Sequence, residues 1–238
     1  MIGKTANEYI RDHWIPRKIW KNLDAPKHQE RLKKCAELTR GNRLADVGCA
    51  CGHSTEIMRG FRSGEWMGID FSSIGIQRAK EFFPRGIWGY IPDLNGLHNM
   101  KRFKFDSIVC SEVLEHCKDD RLLVEGLWNA VEERLVFTTP SVPVNDPGHI
   151  RLYDEAMLEN LFEGIPHTVE NANRFFYIVC DKKMACEAPA PVEETVEADS
   201  YLVPPEDDEK MLEPLPWDVD EPIDEESDSE EEPDADDD

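Results

Sequence analysis

The chain has 238 residues and a formal net charge of −23, which at first sight describes an acidic protein throughout. The charge lies at one end, because residues 187–238 hold 24 of the 50 acidic residues and a single basic residue, Lys210. The rest of the chain is neutral, with 26 acidic and 26 basic residues. Low hydrophobicity with high charge predicts a disordered, Pro-rich acidic tail over residues 185–238, which either solvates the protein or binds a basic partner.

Cysteine content and apolar runs indicate the compartment. The seven cysteines are an odd number without a Cys-x-x-Cys pair, which argues against disulfides and against a zinc knuckle. The N-terminus lacks the apolar region of a signal peptide, and no apolar run reaches the roughly 18 residues of a membrane span. We therefore expect a cytoplasmic protein without a membrane span.

Apolar periodicity and turn residues predict alternating helices and strands through the neutral part. Helices are predicted at residues 26–40, 54–61, 72–83, 119–133 and 153–163, and strands at 43–47, 65–70, 86–91, 105–110 and 134–139. A hairpin of two strands is predicted at residues 167–182. Such alternation is typical of an α/β fold, a mostly parallel sheet with helices on both faces, to which the hairpin adds an antiparallel edge.

A glycine-containing stretch, ADVGCACG, ends the first predicted strand at residues 45–52. Gly48 and Gly52 permit positive φ and close approach of a ligand to the backbone, and amide groups at the start of the following helix could then hold a negative group. Asp70 closes the second strand and could accept hydrogen bonds from both hydroxyls of a ribose. Together they predict an adenosine-containing cofactor. The G-x-G-x-x-G spacing of dinucleotide sites is absent, so a pyrophosphate cradle is disfavoured, and a tight turn without a ligand is the alternative.

Five segments in order resemble the motifs of class I S-adenosylmethionine-dependent methyltransferases, and they read ADVGCACG, GIDFS, PDLNGL, FDSIVCSEVLEH and RLVFTTPS. The likeness runs from about Arg43 to Lys182. It implies a Rossmann-like, doubly wound sheet of seven strands, mostly parallel, with an antiparallel last strand. It also implies a catalytic domain at residues 43–184, which would follow an N-terminal helical segment or lid at residues 1–42.

The same resemblance implies which residues bind S-adenosylmethionine. The methionine end would contact Asp46, Gly48, Ala50 and Gly52, the ribose Asp70, the adenine amino group Asp93, and the methyl group Ser111 and Glu112. Phe71 and Leu94, the neighbours of two of these acids, complete the implied cofactor site.

Two segments that follow strands, SEVLEH at residues 111–116 and DPGHIR at 146–151, offer groups for the transfer step. An acceptor that arrives protonated needs a base, so the candidate catalytic residues are Glu112, His116 and His149. A helical turn over residues 112–116 would also make a divalent-cation site for Mg²⁺ or Mn²⁺. Its ligands would be Glu112, Glu115, His116 and His149. The alternative is that Glu112 faces the cofactor while Glu115 and His116 only cap the turn.

The E-x-x-E-H pattern resembles two subfamilies, the ubiquinone-biosynthesis O-methyltransferases and the small-RNA 2′-O-methyltransferases. We therefore expect methyl transfer to a hydroxyl of a small molecule, with metal-assisted RNA 2′-O-methylation as one alternative. A non-catalytic cofactor-binding scaffold with an acidic interaction tail is the other. Residues 11–34 carry eight basic and three acidic residues with Trp14 and Trp20 interleaved, which fits a lid over the acceptor pocket or an RNA contact.

Overall fold

A seven-stranded sheet forms the centre of the protein in the computed structural model, which describes residues 5–185. The strands are β1 (Arg43–Val47), β2 (Glu65–Asp70), β3 (Ile87–Tyr90), β4 (Ser107–Ser111), β5 (Arg134–Pro140), β6 (His167–Ala172) and β7 (Phe175–Asp181). Their order is β3-β2-β1-β4-β5-β7-β6, and β7 runs antiparallel to both of its neighbours. The predicted mostly parallel sheet with an antiparallel last strand is confirmed.

Helices cover both faces of this sheet. The α-helices of residues 5–185 are α1 (Ala6–Tyr9), α2 (Ile15–Arg17), α3 (Pro26–Leu38), α4 (His53–Phe61), α5 (Ser73–Phe82), α6 (Asp120–Ala130), α7 (Glu155–Leu161) and α8 (Lys182–Ala185). Between them lie a π-helix, Ile10–Trp14, and 3-10 helices at Ile19–Asp24, Leu94–Phe103 and Leu114–His116. Among the described helices, none has the length and apolar character needed to cross a membrane.

The central strands are apolar on both faces because both faces are covered. Successive side chains of β1 point in opposite directions, so Ala45 and Val47 join the core that contains α6 and α7, and Leu44 joins the core that contains α3 and α4. Helix α6 ends at Ala130, earlier than predicted, because the Val131 amide is the last to donate within the helix and the Glu132 amide donates to the Phe105 carbonyl.

The predicted acidic tail begins at the end of the described residues, since residues 186–238 lie outside them. The tail and its partner therefore stay predictions, as do the domain limits at residues 1–42 and 43–184. The six cysteines within the described part are free thiols, five of them buried.

Candidate active site

A cavity of about 1690 Å³ opens at the carboxyl ends of the parallel strands. Gly48 follows β1, Asp70 ends β2, Ser111 ends β4 and Pro140 ends β5, and all four residues line the cavity. The sheet order reverses between β1 and β4, so the cavity lies at the topological switch point, where open α/β sheets bind ligands. Its volume exceeds the roughly 300–1000 Å³ of a single small-molecule pocket, so it has room for a cofactor and an acceptor together.

The glycine loop after β1 has a backbone that other residues could not easily follow. Gly48 has φ +85°, and a Cβ built there would lie 2.2 Å from Cγ2 of Val113. Ala50 adopts the left-handed region as well, with φ 49°. The first position therefore requires glycine for both conformation and space, and this keeps side chains off one wall of the cavity.

The amide groups of this loop are already used within the protein. Those of Gly48 and Cys49 donate to the Ile69 carbonyl, at 2.8 and 3.1 Å, and that of Ala50 donates to Oδ2 of Asp70 at 2.7 Å. These three amides have partners inside the protein, so the predicted binding of a negative group is left to the amides at the start of α4. These three amides are therefore not free to bind a phosphate.

Asp70 joins the glycine loop to the second strand. It is 6% exposed, and its Oδ1 accepts from the Ser72 amide at 2.7 Å while Oδ2 accepts from Ala50. Burial raises the pKa of this carboxyl to about 6, and the two amide hydrogen bonds limit the rise. A carboxylate has about four acceptor positions, so Asp70 retains capacity to accept hydroxyl groups from the cavity.

The structure places most of the predicted cofactor residues at the cavity wall. Those that line it are Gly48, Ala50, Asp70, Phe71, Asp93, Leu94 and Ser111. Asp46 and Gly52 do not. Asp46 is buried and accepts from the hydroxyls of Ser54 and Thr55, both at 2.7 Å, so it fixes the start of α4. Gly52 precedes α4 and faces the Trp88 ring, which leaves no space for a Cβ. Both residues therefore fix the conformation of the glycine loop without lining the cavity.

Glu112 lines the cavity but is separated from the histidines with which it was predicted to act. It has φ 60°, and the 3-10 helix begins only at Leu114, so no helical turn runs over residues 112–116. Its Oε1 accepts from Oγ1 of Thr138 at 3.1 Å and lies 3.3 Å from Nη1 of Arg31. The predicted four-ligand metal set therefore loses Glu112, because its carboxylate is turned toward the guanidinium.

Arg31 is a site residue that sequence reasoning did not single out. It extends from α3 into the cavity wall, is 4% exposed, and donates from Nη1 to Oγ of Ser111 at 2.5 Å. The signal was present, since Arg31 lies one helical turn before the buried Cys35 and next to the buried Leu32. In the sequence it is counted only among the eight basic residues of residues 11–34, because Lys33 and Lys34 follow it closely.

Three other side chains do come together: Glu115, His116 and His149. Each offers one ligand atom, and these atoms lie within 4.8 Å of one another. The two imidazole rings meet edge to face at 4.7 Å between centroids. Glu115 is 1% exposed, and its Oε2 accepts from Thr139, whereas its Oε1 has no hydrogen-bond partner within residues 5–185 and lies 3.8 Å from Nε2 of His149.

The protonation of this cluster follows from burial. Burial, and then the charge of Glu112, raise the pKa of Glu115 well above its usual range. Burial, and then the neighbouring His149, lower the pKa of His116 to about 4, and burial lowers that of His149. Both imidazoles are therefore neutral near pH 7 and keep a lone pair. Two imidazoles and a carboxylate with one unused oxygen fit a divalent cation, and this donor set suits Mn²⁺ better than Mg²⁺.

Residues 5–24, here called the cover segment, connect the two sides of the cavity. On the cofactor side, Oδ1 of Asn7 accepts from the Ser72 hydroxyl at 2.8 Å. On the other side, the Tyr9 hydroxyl donates to Oδ2 of Asp146 at 2.9 Å, and Nε2 of the buried His13 lies 3.3 Å from the same carboxylate oxygen.

Two tryptophans of the cover segment have different neighbours. Trp14 lines the cavity, and its buried Nε1–H has no acceptor within the described residues. Trp20 stacks on the ring of His53, the first residue of α4, with centroids 5.2 Å apart and planes inclined by 16°. The segment is thus held by ring packing on α4 as well as by hydrogen bonds.

The fold and the cavity together define a class I S-adenosylmethionine-dependent methyltransferase. A family model described as a methyltransferase domain matches residues 19–165, more than half of the sequence, and the chain belongs to this family. The chain is therefore an S-adenosylmethionine-dependent methyltransferase. No curated protein matches the chain by sequence.

Solved structures of methyltransferases share the fold. A SAM-dependent methyltransferase from Archaeoglobus fulgidus is 14% identical, with a TM-score of 0.56 over 72% of this chain and 100% of that one. The magnesium protoporphyrin IX methyltransferase ChlM from Synechocystis PCC 6803, with bound SAM, is 14% identical, with a TM-score of 0.52 over 73% and 92%. CurJ carbon methyltransferase is 12% identical, with a TM-score of 0.56, and the alignment spans 70% of this chain but 58% of CurJ.

Proposed function

We propose that this enzyme transfers a methyl group to a hydroxyl of a small molecule. The observation that carries the proposal is the pair of neutral imidazoles, His116 and His149, in the wall of a cavity that the cover segment closes on one side. S-adenosylmethionine supplies an activated methyl group on a sulfonium when bound. The side chains of this chain have to orient the acceptor, exclude water and remove one proton.

The site of proton removal is proposed to be His149. Its side chain is 17% exposed and reaches the cavity, and its imidazole is neutral near pH 7. As the new carbon–oxygen bond forms and the carbon–sulfur bond breaks, the hydroxyl proton passes to the imidazole, which becomes an imidazolium. His116 packs against this ring and fixes its orientation. Glu112, which is paired with Arg31, is proposed to act on the cofactor side instead of as the base.

The acceptor part of the cavity is suited to an organic molecule with an apolar body. Val142, Val144, Pro147 and Ile150 line it beside the histidines. Several basic residues of the predicted RNA-binding stretch have partners inside the protein. Lys33 lies 3.7 Å from Glu37, and Lys34 lies 2.6 Å from Glu170. These pairs reduce the positive charge available for a phosphate backbone, which favours the small molecule over RNA.

A second candidate function is metal-assisted 2′-O-methylation of an RNA terminus, and the unpartnered Oε1 of Glu115 beside two imidazoles favours it. Glu115, His116 and His149 would hold the cation. A bound Mn²⁺ or Mg²⁺ would lower the pKa of a coordinated hydroxyl. In this second function, His116 and His149 would bind the cation. The proton would then leave from the coordinated hydroxyl, whose pKa the cation has lowered.

Transfer of a labelled methyl group separates these functions. The enzyme is incubated with labelled S-adenosylmethionine and separate pools of small metabolites, RNA and protein, before and after treatment with a chelator. We expect label in the metabolite pool, in a product that carries the methyl group on oxygen. Label that enters RNA, disappears with chelator and returns with Mn²⁺ would replace the first proposal by the second.

The metal itself is tested by titrating Mn²⁺ into the protein and following its electron paramagnetic resonance signal. The variant Glu115→Gln keeps the shape of the side chain and removes the ligand charge, whereas Glu125→Gln changes an exposed carboxylate that pairs with Arg121. Tight binding that is lost in the first variant and kept in the second supports the metal version. Equal, weak binding in both variants and the unchanged chain rejects it.

A further inference from the structure

The turn between β6 and β7 carries an unexpected residue at the rim of the cavity. Ala172 pairs with Phe175 across the hairpin, so the loop consists of Asn173 and Arg174, with φ 51° and 75°. Two-residue loops in which both residues have positive φ favour Asn followed by Gly. Arg174 occupies the position that glycine prefers, so its backbone is strained. A side chain kept at a strained position indicates a function for that side chain.

The guanidinium of Arg174 is available to a ligand. It is exposed, lines the cavity, and forms no hydrogen bond or ion pair within residues 5–185. The turn that carries it is held in place, because Nδ2 of Asn173 donates to Oε2 of Glu30 at 3.2 Å. The Ser141 amide also donates to the Arg174 carbonyl at 2.9 Å. A cation without a partner in the described chain therefore lies on a fixed backbone at the edge of the site.

Lys27 adds positive charge to the same side of the cavity. It lies three residues before Glu30 on α3, so the two side chains share a helix face, and Glu30 contacts the turn. Lys27 is exposed, lines the cavity and forms no ion pair with the residues that the structure describes. Burial raises the pKa of Glu112, and the charges of Arg31 and Lys27 oppose that rise. The charge of Lys27 therefore reaches the interior of the cavity.

The segment at residues 141–149 runs from Arg174 to the proposed base. It begins at Ser141, which is bonded to the Arg174 carbonyl, and ends at His149. Its side chains that line the cavity include the apolar Val142, Val144 and Pro147. An acceptor with its hydroxyl at His149 and its apolar body along this segment extends toward Arg174. An anionic group at that end of the acceptor would meet the guanidinium.

We propose that Arg174 determines specificity by binding an anionic group of the acceptor. The substrate is then an organic acid with a hydroxyl at one end and a carboxylate or phosphate at the other. A guanidinium offers parallel N–H groups in a plane that matches the oxygens of either anion, and the contact is charge-assisted. The inference rests on the proposed function for the place of the hydroxyl, and it adds the charge of the substrate.

The test measures the binding of three six-carbon probes, hexanoate, hexyl phosphate and uncharged hexanamide, by ligand-observed NMR. The cofactor half is first filled with S-adenosylhomocysteine, so that no probe can occupy it. We expect at least one anion to bind about 5- to 20-fold more tightly than hexanamide, as for one charge-assisted contact that is partly screened by solvent. The anion that binds more tightly identifies the acidic group. A ratio near one for both anions overturns the proposal.

Three variants show whether Arg174 is responsible. In Arg174→Gln, the ratio should fall below about twofold. Arg174→Gly should lose the ratio as well, with an unfolding midpoint at or above that of the unchanged chain, because glycine adopts φ 75° without strain. Arg85→Gln removes an exposed cation outside the cavity and should leave the ratio unchanged. A full ratio in either Arg174 variant, or an equal loss in Arg85→Gln, overturns the proposal, as does a lowered midpoint in Arg174→Gly.

The methyl-transfer experiment separates this inference from the proposed function. When the labelled product of the metabolite pool is passed over an anion exchanger at pH 7, we expect it to be retained. Label on the oxygen of an uncharged product overturns the inference and leaves the hydroxyl proposal intact, whereas label on the nitrogen of a retained product does the reverse. A short RNA that displaces hexanoate at a lower concentration than hexyl phosphate does would assign Arg174 to RNA and overturn the small acid.

Discussion

The cofactor half and the acceptor half of the cavity are assembled in different ways. In the cofactor half, the hydrogen bond from the Ala50 amide to Asp70 spans 20 residues and joins the ends of adjacent strands. In the acceptor half, the bond from Tyr9 to Asp146 spans 137 residues and joins the cover segment to the segment that follows β5. The first half depends on backbone geometry fixed by short motifs, and the second on side chains that meet only after folding.

The largest effect should come from the acceptor half. His149→Ala removes the proposed base, so we expect the rate of methyl transfer to fall by roughly 10²- to 10⁴-fold. Cofactor affinity, measured by calorimetry, should stay within about twofold because the two halves are separate. His98→Ala, at an exposed position away from the cavity, is the control. An equal loss of cofactor affinity in His149→Ala would show that the halves are not independent.

The next largest effect should come from a change to the backbone of the cofactor half. Gly48→Ala places a Cβ against Val113 at φ +85°, so we expect the free energy of unfolding to fall by about 1–3 kcal/mol. A shift of about 1 Å in the loop should lower the rate of methyl transfer on the order of 100-fold. Gly60→Ala in α4 meets no atom within 4 Å and should stabilise by about 0.5–1 kcal/mol. Denaturant titration of both variants checks the contrast.

A smaller effect is the pH dependence of cofactor binding. Burial raises the pKa of Asp70 from 3.8 to about 6, so below that pH the group is protonated and can no longer accept both of the ribose hydroxyls that it is predicted to bind. Affinity should therefore fall about tenfold from pH 7 to pH 5. The raised pKa also means that this group lowers folding stability as the pH rises from about 4 to 6. Asp70→Asn should bind weakly at every pH, and a wild-type slope in that variant contradicts the assignment.

The smallest effect concerns the connection between the halves. Tyr9→Phe removes the hydroxyl that donates to Asp146, which should lower the free energy of unfolding by about 0.5–1.5 kcal/mol. The KM for the labelled acceptor should rise a few-fold, and cofactor affinity should not change. Asn7→Ala, which loses the contact with Ser72, should show the opposite pattern. Identical behaviour of the two variants would mean that the cover segment moves as one unit.

The difference between the two halves also explains which parts of the site could be predicted from the sequence. Parallel strands meet with their carboxyl ends at one edge, so motifs after β1, β2 and β4 could be placed together without a structure. The side chain of Glu112 could not be oriented, because a positive φ at a non-glycine residue has no signal in sequence. The pairing of Tyr9 with Asp146 was equally inaccessible, since no periodicity links residues so distant. The burial of Arg31 could not be predicted either, because several lysines lie near it in the sequence.

The stacking of Trp20 on His53 has a practical consequence. A movement of residues 5–24 away from α4 during exchange of spent for fresh cofactor would separate the indole from the imidazole. The emission of Trp20 would change at that moment, so the protein carries its own optical reporter of opening. A stopped-flow trace on unlabelled enzyme could then time the departure of product directly.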